Sequence, residues 1–259
     1  MEFYTSTINE ADRLTGSADG ALELLRTQEL LRRHLPSAPA SVLDVGGGPG
    51  THARWLGADG YRVHLVDPVA RHLAEAAGAG CTVELGDARA LTARSGSYDT
   101  VLLLGPLYHL VAEADRMTAL SEAYRVVRPG GLVAAAAISR YASLFEHTAL
   151  AHLDDSPLQE VVGRILATGE HDGVRGFTEA YFHSGEQLRR ELRRAGFKDT
   201  KVYGVEGPAW ALVKAVEHHT GETLRDSRLF DSVLAAARMA ELHPELLAAS
   251  SHLLAVGRR

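Results

Sequence analysis

The chain has 259 residues, of which 46% are hydrophobic and 23% charged, and its formal net charge is −6. These values are typical of a globular enzyme, and the acidic balance argues against a nucleic-acid partner, which usually requires a basic surface. The single cysteine, Cys81, excludes intramolecular disulfides and thiolate zinc clusters. Neither a signal peptide nor a membrane-spanning apolar run is visible, so we expect a cytoplasmic protein with no membrane partner.

Helical and strand patterns alternate through the first half of the chain. Leucines at helical spacing predict a helix over residues 21–35, and Pro36 ends it because proline cannot continue a helix. Short apolar runs predict buried strands at 41–45, 61–66, 82–85, 98–104 and 132–138. Helical patterns between them fall at 50–56, 69–77 and 117–127. This alternation produces a parallel sheet with helices on both faces.

After Ile138 the alternation is less regular. A helix is predicted from Ser184, which can form a capping box with Gln187, and Gly196 ends it. Two further strands are predicted at 197–205 and 251–257, separated by about 45 mainly helical residues. The expected architecture is an α/β, doubly wound, mostly parallel sheet of six or seven strands.

The stretch "VLDVGGGPG" ends the first predicted strand and leads into a helix. Glycines at this point let a ligand approach the backbone closely, and the following helix presents free N–H groups. Dinucleotide-binding enzymes use G-x-G-x-x-G, but after Gly46 and Gly48 the third position is Thr51. The better description is D-x-G-x-G-x-G, which begins at Asp44 and ends at Gly50. An NAD-dependent oxidoreductase is the less favoured interpretation.

Polar residues and a glycine also end the next three predicted strands. Asp67 follows the second strand, 21 residues after Gly46, where a carboxylate can accept both hydroxyls of a ribose. Asp87 follows the third strand in "GDAR" and can accept an adenine amino hydrogen, while the N–H of Ala88 meets a ring nitrogen. Gly105 follows the fourth strand. Ligands of open α/β sheets bind beyond these carboxyl ends of the strands.

Taken in order and spacing, five segments resemble the class I S-adenosylmethionine (SAM)-dependent methyltransferases that act on small molecules. They are "VLDVGGGPG", "VHLVDP", "ELGDAR", "YDTVLLLGPLYHL" and "EAYRVVRPGGLV", within about residues 41–138. The resemblance implies a seven-stranded sheet with a reversed final strand, SAM as the cofactor and S-adenosylhomocysteine (SAH) as its product. The residues it assigns to the cofactor are Asp44, Gly46, Gly48, Gly50, Asp67, Pro68, Gly86, Asp87, Ala88, Leu104 and Gly105.

The N-terminal segment "EFYTSTINEADRL" resembles the caps of small-molecule members of this family. Tyr4 and Arg13 are candidates to close over the cofactor, with Arg13 pairing with its carboxylate. A packing tyrosine and a surface arginine are the alternative. The expected organisation is an N-terminal helical cap at 1–36, a SAM-binding core at 37–138, and a C-terminal half at 139–259. That half completes the sheet and adds helical lid insertions after the fifth and sixth strands.

The loop after the fourth strand carries the candidates for catalysis. His109 in "GPLYHL" lies just past the central strand, so it is the first candidate general base, and Tyr108 is the second. A packing role for His109 in the following helix is the alternative. The loop lacks the Asn/Asp-Pro-Pro-aromatic pattern of enzymes that methylate amino groups of flipped DNA bases, which disfavours that substrate. Histidine and carboxylate spacing shows no metal motif, so no metal is expected.

The function expected from these features is transfer of a methyl group from SAM to an oxygen or nitrogen atom of a small-molecule acceptor. A non-catalytic SAM- or SAH-binding protein is the first alternative, because a cofactor site can persist without chemistry. No nucleic-acid partner is expected, and a homodimer is possible.

Overall fold

The computed structural model of the protein describes residues 14–173 and 178–259, so Tyr4 and Arg13 lie outside the described residues. The helices are α1 (Ala18–His34), α2 (Thr51–Ala58), α3 (Ala70–Ala76), α4 (Pro106–His109), α5 (Glu113–Val126), α6 (Ala142–Ala149), α7 (Ser156–Thr168), α8 (Gly185–Arg194), α9 (Trp210–Thr220) and α10 (Arg228–Ala240). The strands are β1 (Ser41–Val45), β2 (Arg62–Asp67), β3 (Thr82–Leu85), β4 (Tyr98–Leu103), β5 (Val127–Ile138), β6 (Glu170–Asp172), β7 (Glu179–Tyr181), β8 (Lys198–Gly204) and β9 (His252–Arg258). Short 3₁₀ helices occupy Ala77–Ala79 and Pro244–Ala249.

Seven strands form one sheet in the order β3-β2-β1-β4-β5-β9-β8. The pairs β1–β2, β1–β4, β2–β3 and β4–β5 are all parallel. β9 runs the other way, since Arg259 exchanges backbone hydrogen bonds with Gly130 and Gly131 whereas Ser139 donates to Ser251. The mostly parallel, seven-stranded sheet with a reversed final strand is therefore confirmed, and the strand order reverses between β1 and β4.

The fifth strand begins earlier than the sequence predicts. It starts at Val127 rather than at Leu132, and the segment "RPGG" lies inside it. Proline and glycine normally break a strand, and here the pairing with β4 does shift register between Tyr98 and Thr100. The segment stays in the sheet although Gly130 has a φ of 73°, because Gly130 and Gly131 pair with Arg259 on the other side.

The segment after β5 contains the other clear difference. Residues 139–183 form α6 and α7 followed by an antiparallel pair, β6–β7, in which His171 faces Ala180. The sequence "TGEHDGVRG" reads as a turn, since strands of three residues are too short for a period-2 pattern to be recognised. The insertion between β8 and β9 is helical, as expected, and consists of α9, α10 and a 3₁₀ helix.

The chain divides into two compact units. One contains residues 33–136, 186–201 and 255–259, and the other contains residues 137–185 and 202–254 together with the N-terminal helix. The glycine turn and all strand ends from β1 to β4 belong to the first unit. Within the described residues, no helix is long and apolar enough to cross a membrane.

Candidate active site

The glycine turn between β1 and α2 is built on residues in the left-handed backbone region. Gly46, Gly48 and Gly50 have φ angles of 69°, 55° and 82°, which side chains other than glycine rarely adopt. A Cβ atom on Gly46 would lie 2.7 Å from Cγ of Pro106, so the turn packs directly against the start of α4. A Cβ atom on Gly48 would meet no atom of the described residues within 4 Å. The turn is therefore packed on one side and open at Gly48.

Asp67, at the end of β2, holds this turn in place. Its Oδ2 accepts the backbone N–H of Gly48 at 2.9 Å, and its Oδ1 accepts that of Val69 at 2.9 Å. Nδ1 of the buried His72 lies 3.1 Å from the same Oδ1. A carboxylate offers about four lone-pair positions, so one position, on Oδ2, remains for a further donor. To accept both ribose hydroxyls, as the spacing predicts, Asp67 must lose either its contact with His72 or one of its two backbone hydrogen bonds.

Asp44 is a buried carboxylate with unused hydrogen-bonding capacity. It is 1% exposed, and no donor among the described residues lies within hydrogen-bonding distance of either oxygen. Burial, and secondarily the negative charge of Asp67, raises its pKa to about 7. Its Oδ2 lies 2.7 Å from the position that a Cβ atom of Gly47 would take, so this glycine also has to lack a side chain. An unsatisfied buried carboxylate costs stability unless a ligand satisfies it.

The end of β3 carries a carboxylate that is already paired. Asp87 accepts from the backbone N–H and guanidinium of Arg89, at 2.8, 3.0 and 2.6 Å, and Arg89 also contacts Asp115 at 3.2 Å. The hydrogen bonds from Arg89 lower the pKa of Asp87. Ala88 is buried next to it, whereas Gly86 could not carry a side chain because its Cβ would lie 2.8 Å from Val66. An adenine amino group at Asp87 would therefore have to share the carboxylate with Arg89.

The two candidates for catalysis lie on α4, the short helix that follows β4. A Cβ atom on Gly105 would lie 3.1 Å from the carbonyl oxygen of Gly46 and 3.7 Å from the hydroxyl of Tyr108, so this segment adjoins the glycine turn. The rings of Tyr108 and His109 meet edge to face, with centroids 4.5 Å apart. Both side chains are half-buried, as is Leu104. The helix thus brings a hydroxyl and an imidazole to the carboxyl end of the central strand.

A buried ion pair fixes the chain that follows α4. Arg116 and Glu191 are 2% and 4% exposed, and their side chains are joined by three hydrogen bonds of 3.0–3.2 Å. The guanidinium also donates to the carbonyl oxygens of Leu110 and Val111, at 2.9 and 2.6 Å. The residues next to His109 are thereby anchored to α5 and α8.

The structure brings most of the predicted cofactor residues to the carboxyl ends of four neighbouring strands. This group comprises Asp44, Gly46, Gly48 and Gly50 after β1, Asp67 and the exposed Pro68 after β2, Gly86, Asp87 and Ala88 after β3, and Leu104 and Gly105 after β4. Sequence reasoning missed Gly47, His72, Arg89, Arg116 and Glu191. Gly47 and Arg89 stand next to predicted residues, and His72 has no motif but contacts Asp67, five residues before it. Arg116 and Glu191 also have no motif, and they become significant only through their contact across 75 residues.

Comparisons with known proteins agree with this geometry. The family described as "Methyltransferase domain" matches residues 42–131. A curated ubiquinone biosynthesis O-methyltransferase from Methylocella silvestris is 33% identical over 105 residues, which are 38% of this chain. The matched segment spans 40% of the length of that relative.

Solved structures extend the likeness to nearly the whole chain. A SAM-dependent methyltransferase from Thermotoga maritima, described as a possible histamine N-methyltransferase, has a TM-score of 0.63 at 18% identity, over 99% of this chain and 98% of that chain. The [4+2]-cyclase SpnF has a TM-score of 0.56 at 18% identity, over 90% of this chain and 80% of that chain. At such identities the likeness shows the fold. Residues 42–131 therefore match a methyltransferase domain, and the chain has the class I, Rossmann-like fold that is found in SAM-dependent methyltransferases.

Proposed function

We propose that this protein transfers a methyl group from SAM to an oxygen or nitrogen atom of a small-molecule acceptor and releases SAH. The observation that carries the proposal is the carboxylate of Asp44, which is buried beside the glycine turn and has no hydrogen-bond donor in the described part of the chain. A dinucleotide offers its phosphates to such a turn, and a buried anion next to them would repel them. The ammonium group of SAM is a cation, so it satisfies the same carboxylate.

The remaining residues fit the other parts of SAM. The open acceptor position on Asp67 suits a ribose hydroxyl, and Asp87 with the N–H of Ala88 suits adenine. No side chain among residues 14–173 and 178–259 caps the N-terminus of α2 after Gly50, so backbone N–H groups of its first turn can donate to the carboxylate of SAM. When bound, SAM supplies a methyl group activated by its sulfonium, and the protein contributes position and electrostatics.

In this proposal His109 accepts the proton that the nucleophilic atom of the acceptor loses, and Tyr108 orients the acceptor. Both residues lie on α4, which packs against the glycine turn through Pro106. The Arg116–Glu191 pair keeps the chain after His109 from shifting. General-base assistance of this kind is required when the nucleophile is a hydroxyl that is neutral at working pH.

A small organic acceptor is favoured over a macromolecule. Two of the similar proteins are a ubiquinone biosynthesis O-methyltransferase and a possible histamine N-methyltransferase, and both names indicate small acceptors for those proteins. The net charge of −6 also favours a small acceptor, because binding of a nucleic acid usually requires a basic surface.

A second candidate is a protein of the same fold that binds SAM or SAH but performs no methyl transfer. The likeness to SpnF, which is described as a cyclase, is the observation that favours it, because this fold supports other chemistry. The two candidates share the cofactor site and differ only in the reaction.

The distinguishing experiment supplies purified protein with methyl-labelled SAM and a panel of quinols, catechols, imidazole amines and amino alcohols. The proposal expects label transfer to at least one class, loss of transfer in Asp67→Ala, and normal transfer in the surface control Asp154→Asn. SAH binding without transfer to any class would favour the second candidate, and absence of SAH binding would exclude both.

A further inference from the structure

Three ligand-bearing side chains converge at a place remote in sequence from the glycine turn. They are Glu23 on α1, Glu206 after β8 and His252 at the start of β9, and all belong to the second compact unit. Their ligand atoms lie within 4.8 Å of one another. Nδ1 of His252 is 2.6 Å from Oε1 of Glu206 and 3.6 Å from Oε2 of Glu23.

Other groups orient the central carboxylate. Glu206 is 1% exposed, and its Oε2 accepts from the hydroxyl of Ser250 at 2.7 Å and from the backbone N–H of His252 at 2.9 Å. The Ser250 hydroxyl is itself held, because its oxygen accepts the backbone N–H of Glu206 at 2.9 Å. These bonds use one carboxylate oxygen and direct the other, Oε1, toward the imidazole and Glu23. Oriented ligands of this kind are typical of metal sites.

Charge and spacing point to the class of ligand. Two carboxylates face one imidazole nitrogen in a half-buried place, and together they offer oxygen and nitrogen ligands that divalent cations accept. Bonds of about 2.1 Å to a divalent first-row metal, at angles between 90° and 109°, place neighbouring ligand atoms about 3.0–3.4 Å apart. The distances of 2.6 and 3.6 Å differ from these values by less than 1 Å.

We propose that Glu23, Glu206 and His252 bind a divalent cation, with two carboxylate oxygens and one imidazole nitrogen as ligands. The imidazole binds through Nδ1, so its proton resides on Nε2 in the bound form. Carboxylate oxygens, which are two of the three ligands, suit Mn²⁺ among the first-row divalent ions, whereas the imidazole also suits Fe²⁺ and Zn²⁺. Because the ligands come from α1, the end of β8 and the start of β9, the ion would tie the N-terminal helix to these strands. The proposal is independent of the methyl-transfer activity.

The test uses the full chain after treatment with a chelator, with Mn²⁺ as the probe. Free Mn²⁺ is counted by electron paramagnetic resonance during a titration, and thermal unfolding is recorded with and without the ion. One saturable site is expected, together with a higher unfolding temperature, because a ligand that binds only the folded state stabilises it. The Glu23→Gln variant should bind at least about tenfold more weakly, since it keeps its size but loses one anionic ligand.

The control is Glu245→Gln, which removes an exposed carboxylate from the same unit and should bind Mn²⁺ as the wild type does. Glu23→Gln should still unfold in one cooperative transition without Mn²⁺, which would show that the variant is folded. Absence of a saturable site overturns the proposal. Equal affinity in the wild type and Glu23→Gln does so as well, because the ion would then reside elsewhere.

Discussion

The backbone N–H of Gly48 donates to the carboxylate of Asp67 over 2.9 Å, and this bond joins the glycine turn after β1 to the end of β2. Asp67 is therefore both a candidate ribose ligand and the residue that shapes the turn. Gly48 keeps its Cβ side open while its N–H is held. A site built in this way is preorganised, which lowers the conformational entropy lost when a ligand binds.

Alanine at two of the turn glycines should separate folding from binding. Gly48→Ala should lower the free energy of unfolding by only about 1–2 kcal/mol, because the strain is confined to one left-handed residue whose Cβ would contact no described atom within 4 Å. Its new methyl group would project where the cofactor approaches, so SAH affinity should fall at least about tenfold. Gly46→Ala should lose more stability, because its Cβ would lie 2.7 Å from Pro106. Denaturant unfolding and calorimetric SAH titration check both; an unchanged SAH affinity in a folded Gly48→Ala would contradict the model of the turn.

Asp44→Asn should stabilise the unliganded protein and weaken cofactor binding. The substitution removes an ionised carboxylate that has no donor, so the unfolding temperature at pH 8 should rise. The lost charged hydrogen bond to the cofactor ammonium is worth about 1.5–3 kcal/mol, or roughly 10- to 150-fold in SAH affinity. A variant that binds SAH as the wild type does would show that Asp44 has no part in binding.

The pKa of Asp44, near 7, predicts opposite pH dependences for stability and binding. Because the folded-state pKa is raised above the ordinary value of 3.8, the folded protein binds more protons between these values, and this carboxyl's contribution to stability falls as pH rises through that window. SAH requires the ionised form, so its affinity should rise up to about tenfold between pH 6 and pH 8. Subtracting Asp44→Asn profiles from wild-type profiles isolates both effects. A difference that is flat from pH 5 to pH 8 would contradict the assignment.

Substitution at α4 should affect the reaction rather than the cofactor. If His109 accepts the acceptor's proton, His109→Gln should lower kcat by about 10²- to 10⁴-fold while SAH affinity stays as in the wild type. The rate of the wild type should also show an acidic limb that the variant lacks. Tyr108→Phe should change KM for the acceptor more than kcat, because its hydroxyl orients rather than reacts. A kcat of His109→Gln within about threefold of the wild type would remove His109 from the mechanism.

The Arg116–Glu191 pair should contribute strongly to folding. Both side chains are buried and mutually bonded, so Glu191→Gln, which leaves the guanidinium without its counter-charge, should cost about 3–5 kcal/mol in unfolding free energy. The exposed pair Arg189–Glu186 on the same helix gives the control, since Glu186→Gln should cost less than about 1 kcal/mol. Chemical denaturation measures both. Equal losses in the two variants would mean that the buried pair is no more important than a surface one.

Much of the sheet is predictable from sequence because its central strands, such as β1 and β4, are mostly buried, although the edge strand β3 is mostly exposed. Ser41–Val45 and Thr82–Leu85 are found with the predicted bounds, since turn residues limit each run. The first residues of β5 are not predictable, because "RPGG" has the composition of a loop. Pairing with Tyr98 of β4 and with Arg259, more than a hundred residues away, keeps that segment in the sheet.

The candidate site was predictable where a residue ends a strand and unpredictable where it depends on packing. The carboxyl ends of parallel strands meet at one edge, so Asp44, Asp67 and Asp87 had to be neighbours. The contact of His72 with Asp67 and the pairing of Asp87 with Arg89 depend on local side-chain geometry, which periodicity does not encode. Glu23, Glu206 and His252 come from segments that are far apart in sequence, so a search for short metal-binding motifs does not find them.

Calorimetric titration of the purified chain with SAH, and in parallel with NADH, tests the central claim most directly. In this proposal the turn at Gly46–Gly50, together with Asp44 and Asp67, binds SAM and its product SAH. We expect SAH to bind with one site per chain and NADH to give no saturable heat. Binding of NADH without binding of SAH would contradict the account.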